Sequence, residues 1–288
     1  MKLDVETSTE EAAELMRSIL RPQGELTSEY PLVFGHGAPG QLLAIREGDL
    51  VVSSCAILKR DLVYPEGTTQ VGFIGSVVTH PEVRGQGYAT KLLQFAEETL
   101  RADGCQHALL WADDPVFYAR RGYALDGREV DFLVDRTLGA FPVTDMKVRA
   151  MRAEESGVVH DLYSKHASRV GRSAAETATL LSCPRMIVLV AELEREVRSY
   201  LCFGRGADLE GVAHEWGGAP EGVMACLDEL LAENESVFVM APGDPGAMGE
   251  HLDSLGALRA YGRLGMSKPL VGSEGLPEGA FIWGLDSI

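Results

Sequence analysis

Residues Arg84-Gly85-Gln86-Gly87-Tyr88-Ala89 set a fixed cation before three small residues at alternate positions. Small residues let a backbone approach a ligand closely, and glycine enters φ > 0 without steric cost. The segment that follows has helical periodicity, so its first N–H groups lack intrahelical partners and sit at the positive end of the helix dipole. Together these features make an anion cradle suited to phosphate or pyrophosphate, and Arg84 adds a planar guanidinium fork.

Two familiar phosphate loops are excluded. Thr90 occupies the third glycine position of the dinucleotide fingerprint, which also belongs near the start of a βαβ unit rather than 84 residues into a chain. The pattern G-x-x-x-x-G-K-[S/T] does not occur. Other chemistry lacks its residues. His214-Glu215 has no second histidine for a zinc H-E-x-x-H site. His160 and His166 stand six apart, poor spacing for one helical face, and there is no G-x-S-x-G elbow.

The elements that must carry the cradle read as follows. Residues 41–47 and 50–63 are strands joined at Glu47-Gly48-Asp49, and 69–79 form the next strand. A helix runs from the cradle to about residue 103, with Leu92, Leu93, Ala96 and Leu100 on one face and Gly104 as its stop. A buried strand at 107–112, a short helix at 115–121 and a strand at 129–134 complete this half. Upstream, 2–7 alternates like a strand, and Ser8 or Thr9 caps a helix to about residue 20. Residues 137–145 read as a linker. Beyond it, strands at 148–152, 186–193, 198–204, 209–216, 237–241 and 257–267, with helices at 156–166, 174–181, 221–233 and 247–255, repeat the order in outline. The class is α/β.

The element Arg84-x-x-Gly87-x-Ala89, preceded by an apolar strand and the turn His80-Pro81-Glu82, resembles the pyrophosphate loop of the GNAT superfamily of N-acetyltransferases. The resemblance covers residues 1–136, and the second half resembles a GNAT domain whose loop has degenerated. There no arginine precedes Gly217-Gly218, and Pro220 removes an N–H from the helix start. The implied fold is two GNAT-like domains, each a central mixed, mostly antiparallel β-sheet flanked by helices, with a β-bulge splay at the acyl-CoA site. Their limits are 1–140 for the catalytic domain and 141–270 for a degenerate one that shapes the acceptor pocket, with a tail at 271–288.

The resemblance implies acetyl-CoA as co-substrate and no metal. It assigns Val77, Val78 and Thr79 to the arm of the cofactor through their backbone amides, and Arg84, Gly85, Gln86, Gly87, Tyr88 and Ala89 to its diphosphate. Tyr118, in Phe117-Tyr118-Ala119-Arg120-Arg121-Gly122-Tyr123, matches the tyrosine that protonates the departing thiolate. The general base stays open. The strand before the loop has Val71, Phe73 and Val77 where some family members carry a glutamate, with Gln70 and Ser76 as the polar candidates. Asp113 and Asp114 read either as a proton acceptor through water or as a helix N-cap. His214 and Glu215 read as a base or as strand-end surface residues. In tandem relatives such as the enhanced-intracellular-survival acetyltransferases the chain terminus reaches the active site, and the apolar tail at 281–288 is suited to docking.

Composition limits the partners. The net charge is −17, with 13 basic against 21 acidic residues up to 140 and 13 against 22 beyond. No Lys/Arg cluster or long apolar run points to nucleic acid or membrane. Five scattered cysteines and no basic, apolar leader fit reduced thiols and a cytoplasmic location. The expected partner is a small-molecule or peptide amine; a homodimer is left open. The expected reaction is transfer of acetyl to a primary amine by direct attack. The alternatives are a non-catalytic acyl-CoA-binding or regulatory protein, and an acyltransferase like mycothiol synthase.

Overall fold

The computed structural model describes residues 5–7 (backbone only), 10–142 and 144–288. The chain opens with β1 (Val5–Thr7), α1 (Glu10–Leu20), α2 (Leu26–Glu29) and α3 (Pro31–Phe34). It continues through β2 (Gln41–Glu47), β3 (Leu50–Tyr64), β4 (Gly67–Thr79), α4 (Tyr88–Ala102), β5 (His107–Leu110), α5 (Pro115–Ala119), β6 (Ala124–Asp126) and β7 (Glu129–Asp135). The second half holds β8 (Lys147–Ala150), α6 (Ser156–Tyr163), β9 (Arg169–Val170), α7 (Ala174–Leu181), β10 (Ile187–Leu193), β11 (Glu196–Phe203) and β12 (Val212–Gly218). It ends with α8 (Pro220–Glu233), β13 (Ser236–Pro242), α9 (Gly246–Leu255), β14 (Leu258–Gly262) and β15 (Gly265–Pro269). Residues 2–4 of the expected first strand, and the expected caps Ser8 and Thr9, lie outside the described residues.

Two mixed sheets result, one in the order β1-β2-β3-β4-β5-β15-β6 with β9 on β3, the other β14-β7-β13-β12-β11-β10-β8. The halves repeat one plan. In the first, β4 pairs in parallel with β5 only from Val71 to Phe73, then the two strands part. In the second, β12 pairs in parallel with β13 only at Val212 and Ala213. Each splay lies beside a bulge: the β3–β4 register slips between Ser54 and Ala56, and the β11–β12 register between Cys202 and Phe203.

The sheets do not divide at residue 140. β7, read from sequence as the last strand of the first half, inserts between β13 and β14 of the second sheet. In return β15 inserts between β5 and β6 of the first. The segment 257–267, read as one strand, is therefore two strands in different sheets, parted at Arg263-Leu264. This reciprocal exchange gives each sheet a strand from the other half of the chain. The apolar face of β7 (Val130, Phe132, Val134) is buried in a core shared with α6, α8 and the tail, and α4 packs on the other face of the first sheet.

Candidate active site

β4 supplies the first part of the site. Ser76 holds φ 50° at its bulge, a conformation non-glycine residues adopt only where the surroundings impose it. The strand's ladder is interrupted there, beside the opening left by β5. Val77, Val78 and Thr79 follow and line the resulting cleft, which encloses about 1080 Å³. Ser53 on β3 steadies this strand end, its hydroxyl donating to the Val78 carbonyl at 2.8 Å and lying 2.9 Å from the Thr79 hydroxyl.

Eight residues, 80–87, separate β4 from α4. Gly85 and Gly87 take φ 82° and 86°, with open space where a Cβ would stand. The N–H groups of Gly85, Gln86 and Gly87 donate to no acceptor among the described residues. Donors left this way at a helix N-terminus fit an anionic diphosphate. Arg84 bends back so that Nε donates to the Thr79 carbonyl at 3.2 Å. Tyr88 is buried and its hydroxyl donates to Glu47, anchoring the first turn of α4. Of residues 84–89, all but Gln86 line the cleft; the Gln86 side chain is exposed.

Tyr118 reaches the same cleft from α5. Pro115 begins this helix, and Asp114 caps it, its carboxylate accepting from Val116 N–H at 3.1 Å and Phe117 N–H at 3.3 Å. Asp114 is thus a helix cap. The Tyr118 ring lies edge-on to Phe117 and Tyr123 at 5.0 and 6.0 Å. Burial, with smaller contributions from the Cys55 thiol and Asp113, pushes its phenol up to about 12. It therefore keeps its proton throughout the neutral range, as an acid must. Cys55, opposite the bulge, is fully buried and its thiol is pushed up by desolvation, which removes it as a nucleophile.

The tail completes the cleft. Phe281, Ile282, Trp283 and Leu285 are buried. Ser168 accepts from Phe281 N–H at 2.6 Å, and the Trp283 indole donates to the Ser168 carbonyl at 3.1 Å. Arg205, 3 % exposed, donates to the Gly284 and Ser287 carbonyls at 2.7 and 3.2 Å and, through Nε, to the Glu29 carbonyl at 3.0 Å. Its guanidinium stacks 4.4 Å from the Tyr30 ring. So held, the tail runs to the bulge: a Cβ added at Gly75 would meet the Ile288 carbonyl oxygen at 2.6 Å and carbon at 2.7 Å. Gly75 is glycine because the tail end occupies that space. Sequence reading found the apolar tail but not Arg205, whose signal is only a lone arginine between two glycines.

His214 and Glu215 are not surface residues: both are wholly buried. Glu215 accepts from Arg172 at 2.7 Å and from the Tyr200 hydroxyl at 3.1 Å. Asp286 of the tail lies 3.6 Å from Arg172 and accepts from the Tyr163 hydroxyl at 2.7 Å. Two carboxylates share the Arg172 guanidinium in this buried cluster, and burial pushes Glu215 up to about 7. Burial lowers His166 to about 4 and His214 to about 3, so both rings are neutral.

The stability linkage follows from these values. Glu215 is pushed up on folding from an ordinary value near 4.5, so its contribution is present below that and is lost as pH rises through about 7. The melting temperature of the native protein should therefore fall more steeply between pH 5 and 8 than that of Glu215→Gln, by roughly 5 °C. Above pH 8 the variant should be at least as stable. Parallel melting curves for the two proteins would refute the raised Glu215 carboxyl.

The second splay differs from the first. β12 runs to Gly218 and α8 opens at Pro220, so only Ala219 separates them. The Trp216 indole donates to the Met240 carbonyl at 3.0 Å, bridging the parted strands β12 and β13. Trp283 of the tail packs edge-on against it at 5.1 Å. Glu129 on β7, which sequence reading passed over as part of an alternating strand, also lines the main cleft. Burial and neighbouring Asp131 push it up to about 8. Among the described residues no group of three or more His, Cys, Asp or Glu could hold a metal ion, and no helix is long and apolar enough to cross a membrane.

Residues 14–125 match the family model described as an acetyltransferase (GNAT) domain. Among solved structures, a probable N-acyltransferase from Enterococcus faecalis V583 is 13 % identical with TM-score 0.74, covering 94 % of this chain and 73 % of that one. A GCN5-related N-acetyltransferase from Kribbella flavida is 20 % identical with TM-score 0.67, covering 93 % and 72 %. Eis1 from Mycobacterium abscessus is 13 % identical with TM-score 0.63, covering 93 % and 74 %. At these identities the likeness is one of fold. No curated protein matches the chain by sequence.

Proposed function

From the premise that this chain belongs to the GNAT superfamily of N-acetyltransferases, with two GNAT-like halves, we propose that it transfers an acetyl group from acetyl-CoA to a primary amine. The acceptor is a small molecule or a peptide, and attack is direct. One observation carries the reading: three unpartnered amides at residues 85–87, in the loop that follows a bulged strand, stand at a cleft that the half-buried Tyr118 also lines.

In this mechanism the amides of residues 85–89 and Arg84 hold the diphosphate. In this reading the backbone of the bulge at 76–79 aligns the arm and stabilises negative charge on the acetyl carbonyl oxygen, an effect commonly worth a few kcal/mol per donor. The amine nitrogen forms a bond to the acetyl carbon and the carbon–sulfur bond breaks. Tyr118 gives its proton to the departing thiolate. As the new bond forms, the nitrogen becomes acidic and must lose a proton. If Ile288 is the chain terminus, its carboxylate is the acceptor we assign, because the Ile288 backbone packs against Gly75 at the bulge. The buried thiol of Cys55 supports direct attack over a covalent enzyme intermediate. The second half, its splay bridged by Trp216, holds no cofactor in this reading and serves to seat the tail and wall the acceptor space.

Two measurements test the proposal together. Calorimetry should detect coenzyme A, and Gly87→Val should weaken it roughly tenfold or more, because a β-branched residue at φ 86° costs about 1–3 kcal/mol. A CoA-release assay across aminoglycosides, polyamines, amino acids and peptide N-termini should then find turnover with at least one class. Binding without release for any amine would favour an acyl-CoA-binding regulatory protein. No binding at all ends the proposal.

A further inference from the structure

A second hollow of about 380 Å³ adjoins the cradle, lined by Thr90, Asp114, Val116, Phe117, Arg120 and Arg121. Thr90, Asp114, Phe117 and Arg121 also line the main cleft, so the two spaces are continuous around the first turn of α4. The Arg121 guanidinium stacks on the Phe117 ring, 3.6 Å from its centroid. Its Nε and Nη2 donate to the Thr90 hydroxyl at 3.1 and 2.5 Å, and Nη1 donates to the Phe117 carbonyl. Arg120 is exposed. Neither arginine pairs with a carboxylate among the described residues.

Two uncompensated guanidiniums are notable in a chain of net charge −17, where carboxylates are plentiful. Arg121 uses three of its five N–H groups on the protein. The Thr90 hydroxyl accepts twice, which leaves its own proton to donate. Asp114 is the opposing charge in the hollow, and its oxygen is already engaged in capping α5.

We infer that Arg120, Arg121 and Thr90 form a subsite for the 3′-phosphate of coenzyme A, distinct from the diphosphate cradle. The inference rests on the coenzyme A reading given above. That phosphate sits on the ribose whose 5′-oxygen bears the diphosphate, so it lies within one sugar's width of the loop. It carries a charge of roughly −1.5 to −2 at neutral pH, which two guanidiniums match. Planar guanidinium forks suit phosphate oxygens.

The test is calorimetry with acetyl-CoA and 3′-dephospho-acetyl-CoA. The native protein should bind the first at least roughly tenfold more tightly. In Arg120→Ala/Arg121→Gln that ratio should collapse to about 1–2, with affinity for the dephospho compound unchanged within about twofold. Arg120→Glu should lower the ratio by itself, without disturbing the contacts of Arg121 to α4. The ratio is insensitive to general damage, which weakens both ligands alike. Equal binding of the two compounds to the native protein, or a ratio that survives in the double variant, overturns the subsite and leaves the proposed function standing. Failure of the native protein to bind either overturns both.

Discussion

Replacing Tyr118 by Phe is expected to lower kcat at least a hundredfold while leaving the Kd for acetyl-CoA unchanged within about threefold, since general acid help is worth roughly 10²–10⁴ in rate. The substitution removes one hydroxyl and keeps the ring in its edge contacts with Phe117 and Tyr123, so the fold and the cradle should persist. The departing thiolate would then leave without a proton donor. The raised phenol, about 12 against an ordinary 10, adds a second expectation. No alkaline limb of kcat below about pH 11 should come from this group. Turnover measured by thiol release, with Kd from calorimetry, decides the matter. Full turnover in Tyr118→Phe would remove the residue from the mechanism.

Deleting Ser287 and Ile288 should have an effect of similar size, a loss of at least roughly a hundredfold in kcat, again with acetyl-CoA binding preserved. The deletion keeps Asp286, and with it the buried contacts to Arg172 and Tyr163. That choice matters. Removing Asp286 as well would take a carboxylate from Arg172, and breaking a buried ion pair typically costs about 3–5 kcal/mol, so lost activity would then be ambiguous. Gly75→Ala probes the same contact from the other side, because its methyl group would fall on the Ile288 backbone carbonyl. Both variants should melt close to the native protein and fail in turnover. Mass spectrometry of the C-terminal peptide is the control that checks whether the chain ends at Ile288. Undiminished kcat in the deletion would exclude the tail as proton acceptor and turn attention to Glu129, which lines the cleft and is pushed up to about 8.

The two variants separate the roles. In the proposed mechanism Tyr118 acts on the departing sulfur and the tail on the attacking nitrogen. Loss of the acid should therefore matter less with an acyl thioester whose thiol leaves easily, whereas loss of the tail should not depend on the leaving group.

Local features were legible in the sequence because local rules produce them. The alternation of β2 and β3, the apolar face of α4 and its stop near Gly104 appear where periodicity puts them, within a residue or two. The loop at 84–89 was legible for the same reason: its glycines take positive φ within a few residues of the helix they precede. Asp114, Pro115 and Tyr118 likewise form one short helix with its own cap.

Contacts distant in sequence were not legible. Nothing in Glu129-Val130-Asp131-Phe132 tells which sheet takes β7, because an alternating strand pairs equally well with either edge; the reciprocal insertion of β7 and β15 is decided by which gap each fills. His214-Glu215 looked like a strand end because burial of a carboxylate depends on Arg172, 43 residues away, and on a tail that returns from the far end of the chain. Arg205 and Gly75 owe their roles to that same return. Periodicity and turn chemistry act over a few residues and so can be read along the chain. The meeting of tail, bulge and second sheet is a matter of packing, and it exists only once the two halves have exchanged strands.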